Sequence, residues 1–469
     1  MTQAQVQVVV VGAGPAGLSA VQRLARRGVR SVLVDDNLDA GGQTWRAGPG
    51  SLADAAGTKA RAALHARSAL VDHRAVHEVV ALFPPRKLWV VTHDGSHQEL
   101  EPDVLILAPG ALEVHIPVPG WTLPGVYGVG AIQALAKGTG VVPKGPVVIA
   151  GAGPLIRLVA AQLADAGTEV VAVVDAAGPP GPRTLAAMST APRLLARGIR
   201  FERALQRHGI PLFRRHAISR IEGDGRAEHV LLTRLDNAWS PVAGEERRIA
   251  ASTVGLGFGV RPNLELALLA GCAHRYLPLY GGWVPERDDH FETTVPGVFV
   301  VGDGGGIEGV ESADAQGLIA AEAVADRLGA VPGDPAPVAA ARRRRARLQR
   351  FRKGLAEWSN PQPGLYGLCQ ADTIVCRCED VTAGEITRAA EWGGATAHVV
   401  KMATRAGMGL CQGRTCAAAV QALIARAGGV SPQDLVPPSR RPPLRPTALG
   451  SLIGRSATGN AALYRKETP

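Results

Sequence analysis

The sequence has 469 residues, of which 46% are hydrophobic and 20% are charged. This composition excludes a disordered chain, and the length allows two to four domains. No apolar run approaches the ~18 residues that an integral membrane segment needs. The net charge of +10 comes mostly from residues 342–353, which hold eight basic residues and no acidic one, so a nucleic-acid-binding protein is not expected.

The first predicted unit is a strand, a glycine turn and a helix. Residues 6–11 are an apolar run rich in valine, which predicts a buried parallel strand. No basic region of a signal peptide precedes this run, so a cytoplasmic location is expected. A helical pattern follows as far as Gly28, and a second strand over residues 31–34 leads into Asp35 and Asp36. The turn between the first strand and the helix reads Gly12-Ala13-Gly14-Pro15-Ala16-Gly17.

This turn carries the G-x-G-x-x-G pattern of dinucleotide-binding folds. In that pattern Gly12 makes the tight turn, Gly14 lets the backbone approach a pyrophosphate, and Gly17 lets the helix pack closely on the strand. The helix N-terminus offers N–H donors to the phosphates, and Asp35 is placed to accept a hydrogen bond from a ribose hydroxyl. The pattern therefore predicts an adenine-dinucleotide site, with a purely structural glycine turn as the alternative.

A second unit of the same kind begins at residue 146. A strand over residues 146–150 leads into a turn with Gly151 and Gly153, and a helix and a strand ending in Asp175 follow. Ile156 occupies the third glycine position, where we expect its branched side chain to crowd a pyrophosphate. Binding of NAD(P) is therefore not expected here, although a working NAD(P)H site stays open as the alternative.

Two segments favour FAD over a nicotinamide nucleotide in the first unit. Gly41-Gly42-Gln43 follows the acidic pair, and a late strand over residues 297–301 runs into Gly302 and Asp303. An aspartate at that position can hold a ribityl or pyrophosphate group, with the next helix directed at the flavin. The residues assigned to cofactor binding on this basis are Gly12, Gly14, Pro15, Ala16, Gly17, Asp35, Asp36, Gly42, Gln43, Gly302 and Asp303.

Four of the six cysteines form two close pairs near the C-terminus. Cys376 and Cys378 form C-x-C, and Cys411 and Cys416 form C-x₄-C. Two thiolate pairs suit a [2Fe–2S] cluster, and the glycines of the second pair's segment let backbone N–H groups approach the sulfurs. Structural zinc is the alternative, for which C-x-C is a less usual spacing. Cys369 lies just outside the motif and is predicted to be a bystander.

Helices are predicted on both sides of the cysteine pairs. Thr382 and Glu385 form a capping box that begins a helix after the first pair. The residues after Cys416 are predicted to form a second helix with Val420 and Leu423 directed inward. Residues 376–428 therefore read as a small separate module.

The sequences of several segments resemble those of one family of flavoproteins. Residues 376–386 (CRCEDVTAGEI) and 401–416 (KMATRAGMGLCQGRTC) are similar to the bacterioferritin-associated-ferredoxin-like domain of the α subunits of multi-subunit FAD/[2Fe–2S] amine dehydrogenases. This group includes opine oxidases, D-hydroxyproline dehydrogenases and hydrogen cyanide synthase. Residues 105–110 (LILAPG) match a returning strand of two-dinucleotide-domain flavoproteins and add Ala108 and Gly110 to the assigned cofactor-binding residues. That family usually has Thr where this chain has Pro109.

The resemblance implies an electron-transfer α subunit that contains FAD and a [2Fe–2S] cluster. A catalytic β subunit with its own FAD then oxidises an amino acid or secondary amine of the opine, hydroxyproline, proline or glycine type. The group also allows an FMN between subunits, a quinone-like or dye-like electron acceptor and a small third subunit. The sequence identifies no catalytic residue in this chain. The alternatives are a self-contained NAD(P)H-dependent FAD/iron–sulfur reductase and a non-catalytic assembly subunit.

The expected fold class is α/β, with two Rossmann-like dinucleotide-binding domains and a small helical [2Fe–2S] module at the C-terminus. The first of these domains, the FAD domain, is discontinuous and is made of residues 1–117 and 293–331. The second domain spans 118–292, a basic, Pro/Gly-containing linker spans 332–368, the [2Fe–2S] domain spans 369–430, and a Pro-rich tail spans 431–469. The basic run at 342–353 is expected to be a solvated helix, with docking on an acidic partner surface as the alternative.

Overall fold

A computed structural model describes residues 6–46, 48, 55–244, 246–393 and 395–452. Residues 1–5 of the predicted FAD domain and residues 453–469 of the predicted tail lie outside these ranges. The described part is a mixed α/β structure with two parallel sheets, as the sequence predicts.

The strands, in chain order, are β1 (Val8–Val11), β2 (Ser31–Val34), β3 (Val71–Arg74), β4 (Glu78–Phe83), β5 (Lys87–Val91), β6 (His97–Leu100), β7 (Val104–Leu107), β8 (Ala111–Glu113), β9 (Val126–Gly128), β10 (Val147–Gly151), β11 (Val170–Asp175), β12 (Leu212–Arg214), β13 (His216–Glu222), β14 (His229–Arg234), β15 (Arg247–Ala250), β16 (Thr253–Gly257), β17 (Val260–Pro262), β18 (His274–Leu277), β19 (Gly282–Pro285), β20 (Val298–Val300), β21 (Ile374–Cys376) and β22 (Val381–Thr382).

The α-helices, in chain order, are α1 (Pro15–Arg26), α2 (Ala55–His65), α3 (Val129–Thr139), α4 (Pro154–Asp165), α5 (Pro182–Met188), α6 (Pro192–Arg207), α7 (Glu265–Leu269), α8 (Val310–Arg327), α9 (Ala336–Ser359), α10 (Ala383–Gly393), α11 (Ala397–Thr404), α12 (Ala417–Gly428) and α13 (Leu449–Leu452). Among the described residues, none of these helices has the length and apolar character needed to cross a bilayer.

The first parallel sheet has the strand order β20-β7-β1-β2-β3, so its last strand in sequence pairs next to β7. Helices α1 and α8 pack against each other on this sheet. Gly317 permits that close approach, because a Cβ atom there would lie 2.0 Å from the backbone oxygen of Ala16. Glu322 of α8 forms ion pairs with Arg23 of α1 and with Arg27 just after α1, and both arginine side chains are buried. The chain therefore returns to complete the first sheet after building the second.

The second parallel sheet has the order β12-β11-β10-β16-β9, and its strands lie within one continuous stretch of chain. The antiparallel sheet β13-β14-β15 packs beside it through a shared apolar core. The connection between the two halves is the antiparallel pair β8–β17, in which Leu112 lies opposite Arg261. This pair places the segment that precedes the second sheet beside the segment that follows it.

The basic run at 342–353 is neither a loose linker nor a freely solvated helix. It forms most of the middle of α9, which packs against α5 and α8. Arg345 pairs with the buried carboxylate of Glu308 at 2.7 Å, and Arg344 pairs with Asp314. Arg352 donates to the backbone oxygen of Ile307 at 2.8 Å. Several charges of this run are therefore paired inside the chain, which leaves fewer of them for an acidic docking partner.

The described part of the Pro-rich tail packs on the body of the protein, which the sequence did not indicate. Leu435 and Leu444 are buried. Leu444 also donates its backbone N–H to Val80 at 2.7 Å, and Ser451 donates to Gly95. The tail thus reaches back to the small antiparallel sheet β4-β5-β6 near the N-terminus.

Candidate functional site

The first glycine turn forms an open phosphate-sized cradle at the end of β1. Gly12 has φ +102°, and a Cβ atom there would lie 2.3 Å from the backbone oxygen of Ala108, so glycine is required. Gly14 precedes α1 with φ −72°, and a Cβ atom there would meet no protein atom within 4 Å. The space in front of the α1 N-terminus at Gly14 is therefore free of protein atoms, which suits an anionic group.

The acidic residues after β2 lie at the rim of this cradle. Asp35 is buried, and its carboxylate accepts from the N–H of Ala13 at 2.5 Å and from the N–H of Asn37 at 2.9 Å. Asp36 is exposed beside it. Asp35 thus fixes the glycine turn against the end of β2 and still lines the cavity, where it can accept from a hydroxyl group.

Two other segments complete the wall of this cradle. Gly42 has φ +57° and lies so close to the first turn that a Cβ atom would be 3.0 Å from the Cα atom of Gly14. Asp303, after β20, accepts from the N–H groups of Glu308 and Gly309 at 2.9 and 3.0 Å. Burial raises the pKa of Asp303. One carboxylate oxygen is therefore held by the loop that begins α8.

A continuous cavity of about 2430 Å³ joins these walls and extends to the second glycine turn. Gly17 does not line it. A Cβ atom at Gly17 would lie 1.9 Å from the backbone oxygen of Gly12, so its role is helix packing beneath the turn. The other residues that the sequence assigned to cofactor binding are all brought together on this cavity, namely Gly12, Gly14, Pro15, Ala16, Asp35, Asp36, Gly42, Gln43, Ala108, Gly110, Gly302 and Asp303.

The second glycine turn differs from the expectation in one respect. Ile156 does not crowd the space above the turn, because its side chain is fully buried in the core beneath it. Instead Arg157 pairs with the buried carboxylate of Asp175 and stacks 5.0 Å from the ring centroid of Trp358. A Cβ atom at Gly153 would lie 3.2 Å from the Ser359 hydroxyl. Asp175, the acidic residue that could bind a ribose, is thus already paired with Arg157. The end of α9 lies over the turn.

The four cysteines of the two C-terminal pairs meet at one end of the helical module. Cys376 and Cys416 are buried, Cys411 is partly buried and Cys378 is exposed. The thiols of Cys376 and Cys411 both contact that of Cys416, and Cys378 contacts Cys411. We call residues 411–416 the cluster loop.

The capping box predicted after the first cysteine pair is confirmed. The Glu385 carboxylate accepts from the backbone N–H of Thr382 at 2.8 Å. The Thr382 hydroxyl in turn accepts from the N–H of Glu385 at 3.3 Å. These bonds begin α10 just beyond Cys378 and so fix the first pair relative to the helices.

Backbone N–H groups surround the cysteine sulfurs. The pKa of Cys376 is lowered to about 6 by the hydrogen bond to the Cys416 thiol and by the backbone N–H groups of Gly407, Cys378 and Glu379. The pKa of Cys411 is lowered to about 4 by the Cys416 thiol, the Gly413 N–H and others, while that of Cys416 is raised. The Cys376 and Cys411 thiols are thus readily deprotonated, as metal ligands must be. The glycines of this segment predict such N–H contacts to the sulfurs.

The donor set fits a [2Fe–2S] cluster. The thiols lie in neighbouring pairs, which matches a rhomb that takes two sulfurs per iron. The surrounding N–H groups supply the hydrogen bonds that such sulfurs accept. A single zinc ion also accepts four thiolates, so the family to which the module belongs decides between the two metals.

Three arginines near the cluster loop were not found from the sequence. Arg261 of β17 donates to the backbone of the loop, and Arg440 of the tail does the same from another direction. Arg414, within the loop, pairs with Glu265 at 2.8 Å. None of these residues belongs to a short motif, so only the folded chain brings them together.

Glu113 was also missed from the sequence. It lies on the cavity wall and accepts from the N–H of Gly130 at 2.8 Å. Burial raises the pKa of Glu113 to about 7. Its position at the end of β8 gives no local signal, because the helix that covers it begins 16 residues later.

Two family models match the chain. Pyridine nucleotide-disulphide oxidoreductase matches residues 6–317, and the BFD-like [2Fe–2S] binding domain matches residues 374–426. The first match contains both glycine turns and Asp303. The second contains all four cysteines of the two pairs and favours the [2Fe–2S] cluster over zinc.

Similar proteins include components of two bacterial oxidoreductases. One subunit of the opine oxidase of Rhizobium meliloti is 35% identical over 95% of this chain and 97% of its own length. Hydrogen cyanide synthase subunit HcnB of Pseudomonas aeruginosa is 35% identical over 87% of this chain and 90% of its own length. Among solved structures, L-proline dehydrogenase from P. horikoshii has a similar fold, with a TM-score of 0.69 at 18% identity, covering 96% of this chain and 79% of that chain.

Proposed function

The chain belongs to the pyridine nucleotide-disulphide oxidoreductase family, as an FAD oxidoreductase with a BFD-like [2Fe–2S] module, and from this membership we propose that it is the electron-transfer subunit of a heteromeric flavin dehydrogenase or oxidase. The reaction of the complex is the oxidation of an amino acid or secondary amine of the opine, hydroxyproline, proline or glycine type. The substrate site lies on a partner subunit with its own FAD. The names of the related chains support this proposal, because both are subunits of larger enzymes.

One observation carries the proposal, namely a direct structural link between the two cofactor sites. Strand β8 continues from Gly110 of the FAD site and pairs with β17. Arg261 on β17 then donates to the backbone of the cluster loop at 3.2 and 3.4 Å. A chain that passes electrons between two cofactors must hold both, and these contacts join the two proposed sites within one chain.

The residues of this chain bind and orient the cofactors. FAD, when bound, supplies the exchange between two-electron and one-electron transfer. With FAD bound, the α1 N-terminus at Gly14 would face the pyrophosphate, Asp35 would accept from the ribose, and Asp303 would hold the ribityl region. The four cysteines hold the cluster. A separate FMN, a quinone-like or dye-like acceptor and a small third subunit complete the proposed complex.

The first prediction concerns NADH and NADPH, which a self-contained reductase would use. We expect neither to reduce the FAD of the purified chain at a useful rate, because the Arg157–Asp175 ion pair and Ser359 occupy the surroundings of the second glycine turn. Anaerobic stopped-flow mixing, followed at the flavin absorption band, measures this. Complete flavin reduction within one turnover time of the complex would favour the reductase instead.

The second prediction concerns which subunit oxidises the substrate. The chain alone is expected to show no turnover of proline, hydroxyproline, glycine or opines with a dye acceptor, and turnover is expected to begin when the partner flavoprotein is added. Steady-state dye reduction with each substrate measures it. Robust turnover by the lone chain would contradict the proposed role. A purified chain without any flavin absorption would instead favour a non-catalytic assembly subunit.

A further inference from the structure

Two arginine side chains from different parts of the fold converge on the cluster loop. Arg261 donates from Nη2 to the backbone oxygens of Gly413 at 3.4 Å and Arg414 at 3.2 Å. Arg440, from the C-terminal tail, donates from Nη1 to the backbone oxygen of Gln412. Both guanidiniums therefore lie against the backbone that joins two of the cluster cysteines.

The positive charge of these two side chains is only partly compensated. Glu265 forms its ion pair with Arg414, and both of those side chains are largely buried. Within the described residues, neither Arg261 nor Arg440 forms an ion pair, and the Nε atom of each is buried without a hydrogen-bond partner. Burial lowers the pKa of Arg261 to about 10, so it remains charged at neutral pH. A net positive charge is thus held at the cluster loop.

The two guanidiniums are close enough to act on the sulfurs. Both interact electrostatically with Cys416, and Arg440 also interacts with Cys411. Because both arginine side chains are partly buried, such interactions are stronger there than between fully exposed charges. Arg261 also lies on β17, whose partner strand β8 begins beside the FAD site.

We propose that Arg261 and Arg440 raise the reduction potential of the [2Fe–2S] cluster by stabilising the negative charge that it gains on reduction. This inference rests on the proposed function. A cluster held by four thiolates is already negative, and reduction adds one electron without a proton. The electron comes from the reduced FAD of the same chain and leaves to the next acceptor. Positive charge next to the ligands favours the reduced form, so it makes the cluster a better acceptor for the flavin.

The test uses the full chain with both cofactors bound and measures the cluster midpoint potential by redox titration, followed by EPR and visible spectra. Arg261→Gln and Arg440→Gln are each expected to shift the midpoint to lower potential at unchanged iron content. Arg261→Lys keeps the charge and is expected to stay nearer the wild-type midpoint. Arg441→Gln is the matched control, because it removes the same charge from the neighbouring, exposed residue of the tail.

The outcomes distinguish an effect of the arginine charge on the midpoint potential from an effect of the loop geometry. Iron-loaded R261Q and R440Q proteins with the midpoint of R441Q would overturn the proposal. Equal shifts in R261K and R261Q would also overturn it, because they assign the effect to the shape of the loop. If R261Q holds no iron, then R440Q and R261K decide, and loss of the cluster in all three means that these side chains only hold the loop. A wild-type protein without a cluster would contradict the proposed function instead.

Discussion

Cys411→Ser is expected to abolish the iron–sulfur absorbance of the protein and to leave its FAD bound. The Cys411 thiol lies at the centre of the group, in contact with both Cys378 and Cys416, and its pKa is lowered to about 4. Serine does not supply a thiolate, so the cluster loses one of its four ligands. The FAD site is built from β1, β2 and β20 and shares none of these residues. Iron analysis, visible spectra and flavin release on denaturation measure both results.

Cys369→Ser is the matched control for this prediction. Cys369 lies in the same module, but burial raises its pKa to about 11 and it packs against the apolar core of the module instead of joining the four thiols. Its replacement is expected to leave the iron content unchanged. Zinc at one atom per chain, without iron after anaerobic purification, would contradict the [2Fe–2S] assignment.

Gly14→Val is expected to lower the FAD content of the purified protein more than tenfold, with little loss of iron. The structure makes this substitution a clean probe, since φ is −72° and an added Cβ atom meets no protein atom. The new side chain projects only into the space where a pyrophosphate must touch the backbone. Each tenfold rise in the dissociation constant of FAD corresponds to about 1.4 kcal/mol of lost binding free energy. Flavin and iron quantified on the same sample measure the effect.

Gly181→Val provides a closely matched control. Gly181 also precedes a helix with proline at its first position, has φ −73° and has no atom within 4 Å of an added Cβ atom. It differs from Gly14 in its distance from the FAD site. If Gly14→Val and Gly181→Val retain the same stoichiometric FAD, then residues 12–17 are not the phosphate loop of the flavin.

Local sequence patterns predicted the two parallel sheets and the main elements around the glycine turns. The strand predicted over residues 31–34 is β2 without change, and the helical pattern after the first glycine turn is α1. These features succeed because an apolar run followed by glycines and a helical period is determined by neighbours in the chain. The cysteine pairs are predictable for the same reason, since their spacing alone brings the sulfurs of each pair near one another.

Contacts between distant segments could not be predicted in this way. Nothing in the tail sequence indicates that Arg440 bonds the cluster loop, and the basic run gave no sign that Arg345 would meet Glu308. The direction of a single side chain could not be predicted from the sequence either. Ile156 was expected to face the nucleotide space, but the turn rotates it into the core. Such details depend on tertiary packing, which no short window contains.

The return of the chain to its first sheet has a consequence for biosynthesis. Strands β9 to β16 are contiguous in sequence, so the middle domain can fold as soon as it leaves the ribosome. The first sheet must wait for β20 and α8, and with them for Asp303. Its contacts span most of the chain, and such high contact order makes folding slow. Flavin capture is therefore expected only after the central domain has been translated, because Asp303 and the last strand of the first sheet lie beyond it in the sequence.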